Sequence, residues 1–240
     1  MRENSRGKLP VLDERLGAIA ALVRGGMPCV DVGCDHGYLI AYLAASGKIP
    51  RGIACDINPM PLQRAQKTLR AYGVENVQTR LTDGLHQIEP QDAGEIIIAG
   101  MGGELIAQIL EDYPWAKSPR HYLLQPMTRD SALREYLVKN GFAIQRECAA
   151  VSGKFHYTIM SVEYTGVIDA HPGELFLQVG LLPQEKTPAA KAFLLHRAAV
   201  LSQIGQNQLN AARQNGQGRH LLELSRQIDA LAEAMEIREP

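Results

Sequence analysis

The sequence has few of the features that mark secreted, membrane or metal-binding proteins. No apolar stretch reaches the roughly 18 residues that a membrane span needs, and no signal-type apolar core follows the charged first residues. The four cysteines are scattered, without the short paired spacings of a zinc site. We therefore expect a cytoplasmic protein with reduced cysteines, no bound metal and no membrane partner.

Aromatic residues and net charge are also low. Aromatic side chains make up 5% of the 240 residues, and the formal net charge is −1. Because phosphate contacts usually demand a basic surface, any nucleic-acid contact of this chain has to be local. The hydrophobic share of 45% is that of an ordinary globular protein. The chain is long enough for one full domain and a smaller one.

The most informative feature present is a glycine-bearing turn after a short apolar run. Residues 29–32 form that run, and Gly33 and Gly37 follow before a helical stretch that begins at Tyr38. In open α/β sheets this strand–turn–helix arrangement directs backbone N–H groups into one crevice. The sequence thus predicts a site for a small ligand with charged or polar groups.

Two further turns indicate which ligand this is. Asp56 ends the second apolar strand, about 20 residues on, where such sheets place a carboxylate against a ribose. After the third strand, Asp83 can accept the amine of an adenine. At the first turn, the carboxylate of Asp35 would repel a pyrophosphate but could pair with an α-amino group. We therefore predict S-adenosylmethionine rather than a nicotinamide cofactor.

Other interpretations remain open at this point. Asp31, Asp56 and Asp83 could simply cap helices or form turns, the usual role of aspartate after a strand. A nicotinamide-dependent oxidoreductase shares the strand–turn–helix geometry. A non-catalytic RNA-binding or scaffold protein with a relic cofactor fold is a third possibility.

Apolar periodicity predicts a doubly wound α/β sheet of the Rossmann type. A leading helix comes first, and strands and helices then alternate. The predicted strands span residues 29–33, 52–56, 76–81, 95–99 and 121–125, and the predicted helices 38–46, 60–72, 102–111 and 129–140. Two extended runs, residues 142–150 and 156–164, follow as an antiparallel hairpin. A sheet that ends in such a hairpin is similar to the class I methyltransferase fold.

The last quarter of the chain has a different pattern. Residues 166–188 are rich in turn formers around an apolar anchor at 175–177, which predicts a linker. Two helical stripes follow, with coiled-coil spacing in the second. Their members are Ala190, Leu194, Ala198, Leu201 and Ile204, then Leu221, Leu224, Ile228, Leu231 and Met235. With a break at residues 215–218, they predict an antiparallel helical hairpin. We divide the chain into residues 1–165, 166–188 and 189–240.

The end of the fourth strand bears on the chemistry. It opens into Gly100-Met101-Gly102-Gly103, which allows close approach of a substrate at the methyl-donor end of the crevice. The Asn/Asp-Pro-Pro-aromatic sequence of amino-methylating enzymes is missing there. A ring nitrogen, whose lone pair is already free, is therefore a better acceptor than an exocyclic amine. Positioning would then do most of the catalytic work.

Several of these motifs together resemble the TrmK family, the bacterial tRNA (adenine-22-N1)-methyltransferases. The resemblance covers residues 12 to about 164. The matching residues are Leu12-x-x-Arg15-Leu16, Asp31-Val-Gly-Cys-Asp35-His36, Asp56, Asp83-Gly84-Leu85, Ala99-Gly-Met-Gly-Gly103, Leu124-Gln125-Pro126, Glu147, Lys154 and Tyr157. Gly37 stands where the family is expected to have alanine.

The resemblance implies methyl transfer from S-adenosylmethionine to the N1 atom of adenine 22 in the D-arm of tRNA. It implies cofactor binding by a set of turn residues: Gly33, Asp35, His36 and Gly37 for the methionine end, Asp56 for the ribose, and Asp83 with Gly84 for the adenine. Gly100 is a further expected cofactor-binding residue. Met101 would form the floor under the target base. Asp35 would stabilise the cationic product, or serve the cofactor instead.

Three roles are left open by the sequence. His36 is expected to donate a hydrogen bond rather than act as a general base. Lys154 and Tyr157 could contact RNA, although an exposed lysine on a hairpin is usually just solvated. The helical tail could grip tRNA, be purely structural or form a dimer contact, so a monomer and a dimer both remain possible.

Overall fold

A computed structural model describes residues 8–211 and 216–237 of the chain. Strands and helices alternate in the order that the periodicity predicts. The strands are β1 (Cys29–Val32), β2 (Gly52–Asp56), β3 (Val77–Leu81), β4 (Glu95–Gly102), β5 (His121–Thr128), β6 (Phe142–Ser152) and β7 (Phe155–Tyr164). The helices are α1 (Glu14–Leu22), α2 (Tyr38–Ala45), α3 (Pro59–Ala71), α4 (Gly103–Asp112), α5 (Asp130–Lys139), α6 (Glu174–Val179), α7 (Pro188–Ala211) and α8 (Gly216–Ala234).

All seven strands belong to one sheet, in the order β3-β2-β1-β4-β5-β7-β6. The first five strands pair in parallel, and β7 pairs antiparallel with both β5 and β6. One apolar cluster joins the sheet to α1, α2 and α3, and a second joins it to α4 and α5. Because helices cover both faces, the central strands are apolar on both sides. The predicted doubly wound sheet with a terminal hairpin is confirmed.

The end of β4 differs from the prediction. The strand continues through Gly102 instead of ending at residue 99, and α4 begins at Gly103. Two register shifts interrupt its pairing with β5, where Met101 lies opposite Pro126. A proline cannot donate to the ladder, and such irregularities bend a strand where a site is built. The glycine motif is therefore a bulged strand end rather than a free loop.

The four cysteines are free and buried. Burial, together with nearby carboxylates, raises the pKa of every one of these thiols, and that of Cys55 and of Cys148 reaches about 12. Their role in the fold is that of small apolar side chains, as expected for cysteines without pairing partners.

A buried ionic network joins the sheet to the C-terminal helices. Arg134 on α5 has no exposed side-chain surface and donates to Glu147 of β6 at 2.9 and 3.0 Å. It also donates to Asp130 and to the Leu177 carbonyl, each at 2.9 Å. Arg197 on α7 donates a hydrogen bond to the Asp130 carboxylate at 2.6 Å. Burial alone would raise the pKa of Asp130, but the guanidinium groups of Arg134 and Arg197 hold this pKa below its ordinary value.

Helices α7 and α8 pack as an antiparallel hairpin, as predicted. Most of the predicted stripe is buried, but Ile204 is 43% exposed and Gly205 occupies the interface instead. A Cβ atom on Gly205 would lie 2.8 Å from the Gly218 carbonyl oxygen, so the two backbones cross at this point. The predicted break needs correction, because residues 216–218 form the first turn of α8; Asn215 lies outside the described residues.

The segment predicted as a linker contains regular structure. Its apolar anchor forms α6, and a short 3-10 helix follows at Leu182–Gln184. Val179 and Leu182 are buried in the same apolar cluster as α7 and α8. None of the helices in the described ranges is long and apolar enough to cross a bilayer.

Candidate active site

A cavity of about 310 Å³ opens at the carboxyl ends of β1 and β4. Its lining includes five of the predicted site residues, namely Gly33, Asp35, His36, Gly37 and Gly100. Residues that the prediction did not include complete it: Arg15, Leu16, Asp31, Cys34, Tyr38, Leu39, Ala99 and Met127. The glycine turn and the end of β4 therefore share one concave site, at the edge where open α/β sheets bind ligands.

The turn after β1 requires unusual backbone angles. Gly33 has a φ of +72° and Gly37 a φ of +68°. A Cβ atom on Gly37 would also lie 2.9 Å from the Cβ atom of Ala65, so the alanine expected at this position would be strained. Between them, the backbone N–H groups of Asp35 and His36 have no acceptor within the described part of the chain. They remain available to a ligand in the cavity.

The Asp35 side chain lies at the mouth of the cavity. Its side chain is 65% exposed, and its φ of +43° places it in the left-handed region. One carboxylate oxygen lies 3.7 Å from Nε2 of His36 and the other lies 3.8 Å from Nη1 of Arg64. Asp35 thus presents an anion toward solvent and toward any cationic group bound in the cavity.

Asp31 is a second carboxyl group in the cavity lining, and it is buried. Burial raises its pKa to about 7, against the opposing effect of Arg15, and Asp56 raises it further. From the sequence, Asp31 was a possible cap and a member of the motif that carries the family resemblance, but not a predicted site residue. The signal that could have identified it is a carboxylate inside an otherwise apolar strand, since such a group is costly to bury without a function.

Arg15 and Gln125 connect three elements beside the cavity. Arg15 Nη1 donates to Gln125 Oε1 at 2.8 Å, and the Gly100 amide donates to the same oxygen at 3.1 Å. This fixes α1 and the bulged end of β4 to β5. Neither side chain was among the predicted site residues, although both belong to the motifs that carry the family resemblance.

Met101 does not line the cavity directly. It is half-buried against the apolar cluster under α4 and α5. A Cβ atom added to Gly33 would lie 2.3 Å from Met101 Cε, so this methyl group fills the space that a side chain at position 33 would need. Met101 and Gly33 therefore shape the cavity together.

The remaining predicted residues lie outside this cavity, on β2 and just after β3 along the same sheet edge. Asp56 Oδ1 accepts from the Asn58 amide at 2.8 Å, and the Asp56 carbonyl accepts from the Thr82 amide at 3.0 Å. Asp83 is exposed, and its carbonyl accepts from the Tyr113 hydroxyl. Gly84 is buried, with a φ of +50°. Neighbouring turns of β1, β2 and β3 thus carry the predicted acidic groups in succession.

This sheet order and glycine turn match the methyltransferase class, and a comparison with known proteins decides for it. A family model described as a methyltransferase domain matches residues 12–160. A tRNA (adenine(22)-N(1))-methyltransferase of Bacillus subtilis is 32% identical over 173 residues, which cover 71% of this chain and 72% of that protein. The chain belongs to the tRNA (adenine(22)-N(1))-methyltransferase family.

Solved structures agree with this assignment. The B. subtilis m1A22 tRNA methyltransferase TrmK superposes with a TM-score of 0.77 and 28% identity, over 95% of this chain and 100% of that one. A candidate tRNA (m1A22) methyltransferase of Streptococcus pneumoniae, in complex with S-adenosyl-L-methionine, gives a TM-score of 0.80 and 30% identity. That match covers 91% of this chain and 100% of the other.

Proposed function

We propose that this protein transfers the methyl group of S-adenosylmethionine to the N1 atom of adenine 22 in tRNA. The observation that carries the proposal is membership of the family whose B. subtilis relative has this activity in its name. The cavity at the glycine turn supports it, because its position and groups suit this cofactor. Neither an oxidoreductase nor a scaffold protein gains support from these similarities.

The donor set fits a cofactor that carries a sulfonium, an amine and a carboxylate. Asp31 and Asp35 bring two carboxyl groups to the cavity, which favour cationic groups. The free amides of Asp35 and His36 suit an anionic carboxylate. Asp56 and Asp83 follow along the edge for a ribose diol and an adenine amine. When bound, S-adenosylmethionine supplies an electrophilic methyl group.

The chain's own residues have to position the target base. The N1 lone pair of adenine needs no deprotonation before attack, so a general base is unnecessary at that stage. The close backbone approach at Gly100 and the support of Met101 suit a flat base beside the cavity. The carboxylate of Asp35 is our candidate for stabilising the positive charge that develops on the adenine.

The substrate places further demands on the protein. The N1 edge of an adenine in folded tRNA has to be exposed before it can react, at a cost of a few kcal/mol. Contacts with the tRNA body, including contacts from the helical hairpin, would offset this cost. Because tRNA is its substrate, we expect the protein to act in the cytoplasm.

Methylation of unmodified tRNA in vitro tests this function directly. Purified protein, labelled S-adenosylmethionine and a tRNA with adenine at position 22 should yield 1-methyladenosine at that position. The matched control is the same tRNA with guanine at position 22, which should accept no label. Label at another nucleotide, or no label in any adenine-22 tRNA, would contradict the proposal.

Calorimetry separates the cofactor classes independently of the RNA. We expect binding of S-adenosylhomocysteine and none of NAD. The reverse result would revive the oxidoreductase interpretation.

A further inference from the structure

The β6–β7 hairpin extends beyond the carboxyl edge of the parallel sheet. Pairing of β7 with β5 ends at Leu124 and Met160, which are level with Val32 at the end of β1, so the first residues of β7 project past the end of β1 on the side of the active site. Side chains alternate along a strand, which puts Phe155 and Tyr157 on one face. Their rings stack, with centroids 6.2 Å apart and 28° between the planes. Phe155 is 54% exposed.

Two cations flank these rings. Lys154 Nζ lies 5.5 Å from the centroid of the Phe155 ring, and the Arg15 guanidinium lies 5.9 Å from that of Tyr157. Arg15 also lines the cavity and is hydrogen-bonded to Gln125. The aromatic face is therefore continuous with the active site. We call Arg15, Lys154, Phe155 and Tyr157 the hairpin platform.

We propose that the hairpin platform binds an unpaired base of the tRNA, adjacent to the target adenine, by stacking on Phe155 and Tyr157. The inference rests on the proposed function and deepens it by naming where a second nucleotide of the substrate is held. Aromatic rings flanked by cations match a nucleotide, which offers a flat π face and a phosphate.

The exposure of Phe155 supports this occupant. The chain has only four phenylalanines, and Phe142 and Phe193 are buried in apolar clusters. Among the phenylalanine, tyrosine and tryptophan rings that the structure describes, Phe155 is the most exposed. Unstacking the target adenine also leaves its neighbour without a stacking partner. A platform at the cavity mouth replaces that partner and lowers the cost of exposing the target.

The test compares ring removal with ring-conserving changes. Phe155→Ala and Tyr157→Ala should each weaken tRNA binding by about tenfold, the scale of one lost base–aromatic stack. Phe155→Leu keeps apolar volume but has no π face, so it should lose as much as alanine. Tyr157→Phe keeps the ring and should bind like the wild type. Binding of S-adenosylhomocysteine should stay unchanged in all four variants, which also verifies their folding.

An abasic tRNA gives the sharper measurement. Removing the base immediately 5′ or 3′ of adenine 22 should weaken wild-type binding at one of the two positions. At that position Phe155→Ala should cause no further loss, because both changes remove the same contact. Additive losses at both positions would overturn the proposal, as would a Phe155→Leu variant that binds like the wild type, or alanine variants without effect.

Failure of this inference is distinguishable from failure of the proposed function. The platform is judged by tRNA affinity, and the function by label at adenine 22. If the wild-type protein binds tRNA without methylating it, the proposed function is wrong, and the platform can still be tested by tRNA affinity. A wild-type protein that binds no tRNA fails both.

Discussion

At the scale of single residues, the most consequential group is a carboxyl buried in the middle of a strand. Asp31 has a pKa of about 7 in the folded chain, against an ordinary value of 3.8. The folded state therefore holds this proton more tightly than the unfolded state between those two values. The stability that Asp31 contributes is present at low pH and is lost as the pH rises through 7.

Replacement of this carboxyl should remove that pH dependence. Between pH 4 and pH 8 the unfolding free energy of the wild type should fall by up to about 4 kcal/mol more than that of Asp31→Asn. Urea unfolding at several pH values measures it. Asp229→Asn, at an exposed position on α8, is the control and should follow the wild-type profile. Parallel profiles for wild type and Asp31→Asn would refute the assignment.

A second prediction at this scale concerns the end of β2. Asp56→Ala should weaken binding of S-adenosylhomocysteine by roughly ten- to a hundredfold, because hydrogen bonds from the ribose to a charged acceptor are lost. Affinity for tRNA should be retained, since Asp56 lies away from the hairpin platform. Calorimetry and fluorescence anisotropy measure the two affinities. If cofactor affinity is unchanged in the variant, the ribose assignment is wrong.

Individual residues show where sequence reasoning succeeds and where it ends. Gly33 and Gly37 were predictable as turn residues, because a tight turn after a strand favours glycine at positions with positive φ. Arg15 was not predictable as a cavity residue from spacing, since its contact with Gln125 spans 110 positions and depends on how α1 packs. Asp31 was visible as an oddity, but its burial depends on tertiary structure.

At the scale of secondary-structure elements, the ionic network around Arg134 joins α5, β6, α6 and α7. Arg134→Met should lower the unfolding free energy by about 3–5 kcal/mol, because it leaves Glu147 buried without its arginine partner and removes one of the two arginines that pair with Asp130. Arg24→Ala is the matched control, as it breaks an exposed pair with Glu163 and should cost less than about 1 kcal/mol. Urea unfolding of both variants checks the difference; equal losses would argue against a buried network.

Element boundaries were predictable to within a few residues because apolar periodicity reports burial. The boundary of β4 was missed for a physical reason. Its last residues pair with β5 through two register shifts, where Met101 lies opposite Pro126, and this pairing depends on a neighbouring strand rather than on the sequence of β4 alone. The glycines at 216–218 likewise look like a break in isolation. In the folded chain Gly218 belongs to α8, and its lack of a side chain lets α8 pack closely against α7 at Gly205.

At the scale of the whole molecule, two contacts tie the helical hairpin to the rest of the fold. Arg197 on α7 pairs with Asp130 on α5, and Glu185, just before α7, accepts from the Ala149 amide of β6. We therefore expect one cooperative unfolding transition. Trp115, the single tryptophan, reports on the sheet domain by fluorescence, whereas circular dichroism reports on all the helices. The two signals should coincide in the wild type.

Loss of this tie should uncouple the two parts. In Arg197→Ala the helical signal should begin to fall before the fluorescence signal, because the hairpin loses its link to Asp130. Lys191→Ala, elsewhere on α7, is the control and should keep the signals together. Separate transitions already in the wild type would contradict the expectation.

The four enclosed cysteines have a practical consequence for handling this enzyme. Their thiols seldom ionise at neutral pH, and only the ionised form attacks alkylating reagents or peroxide at an appreciable rate. The folded protein should therefore tolerate storage in air without a reducing agent. A dye carried by a maleimide would then attach selectively to a single cysteine introduced at the surface, with all four native ones left in place.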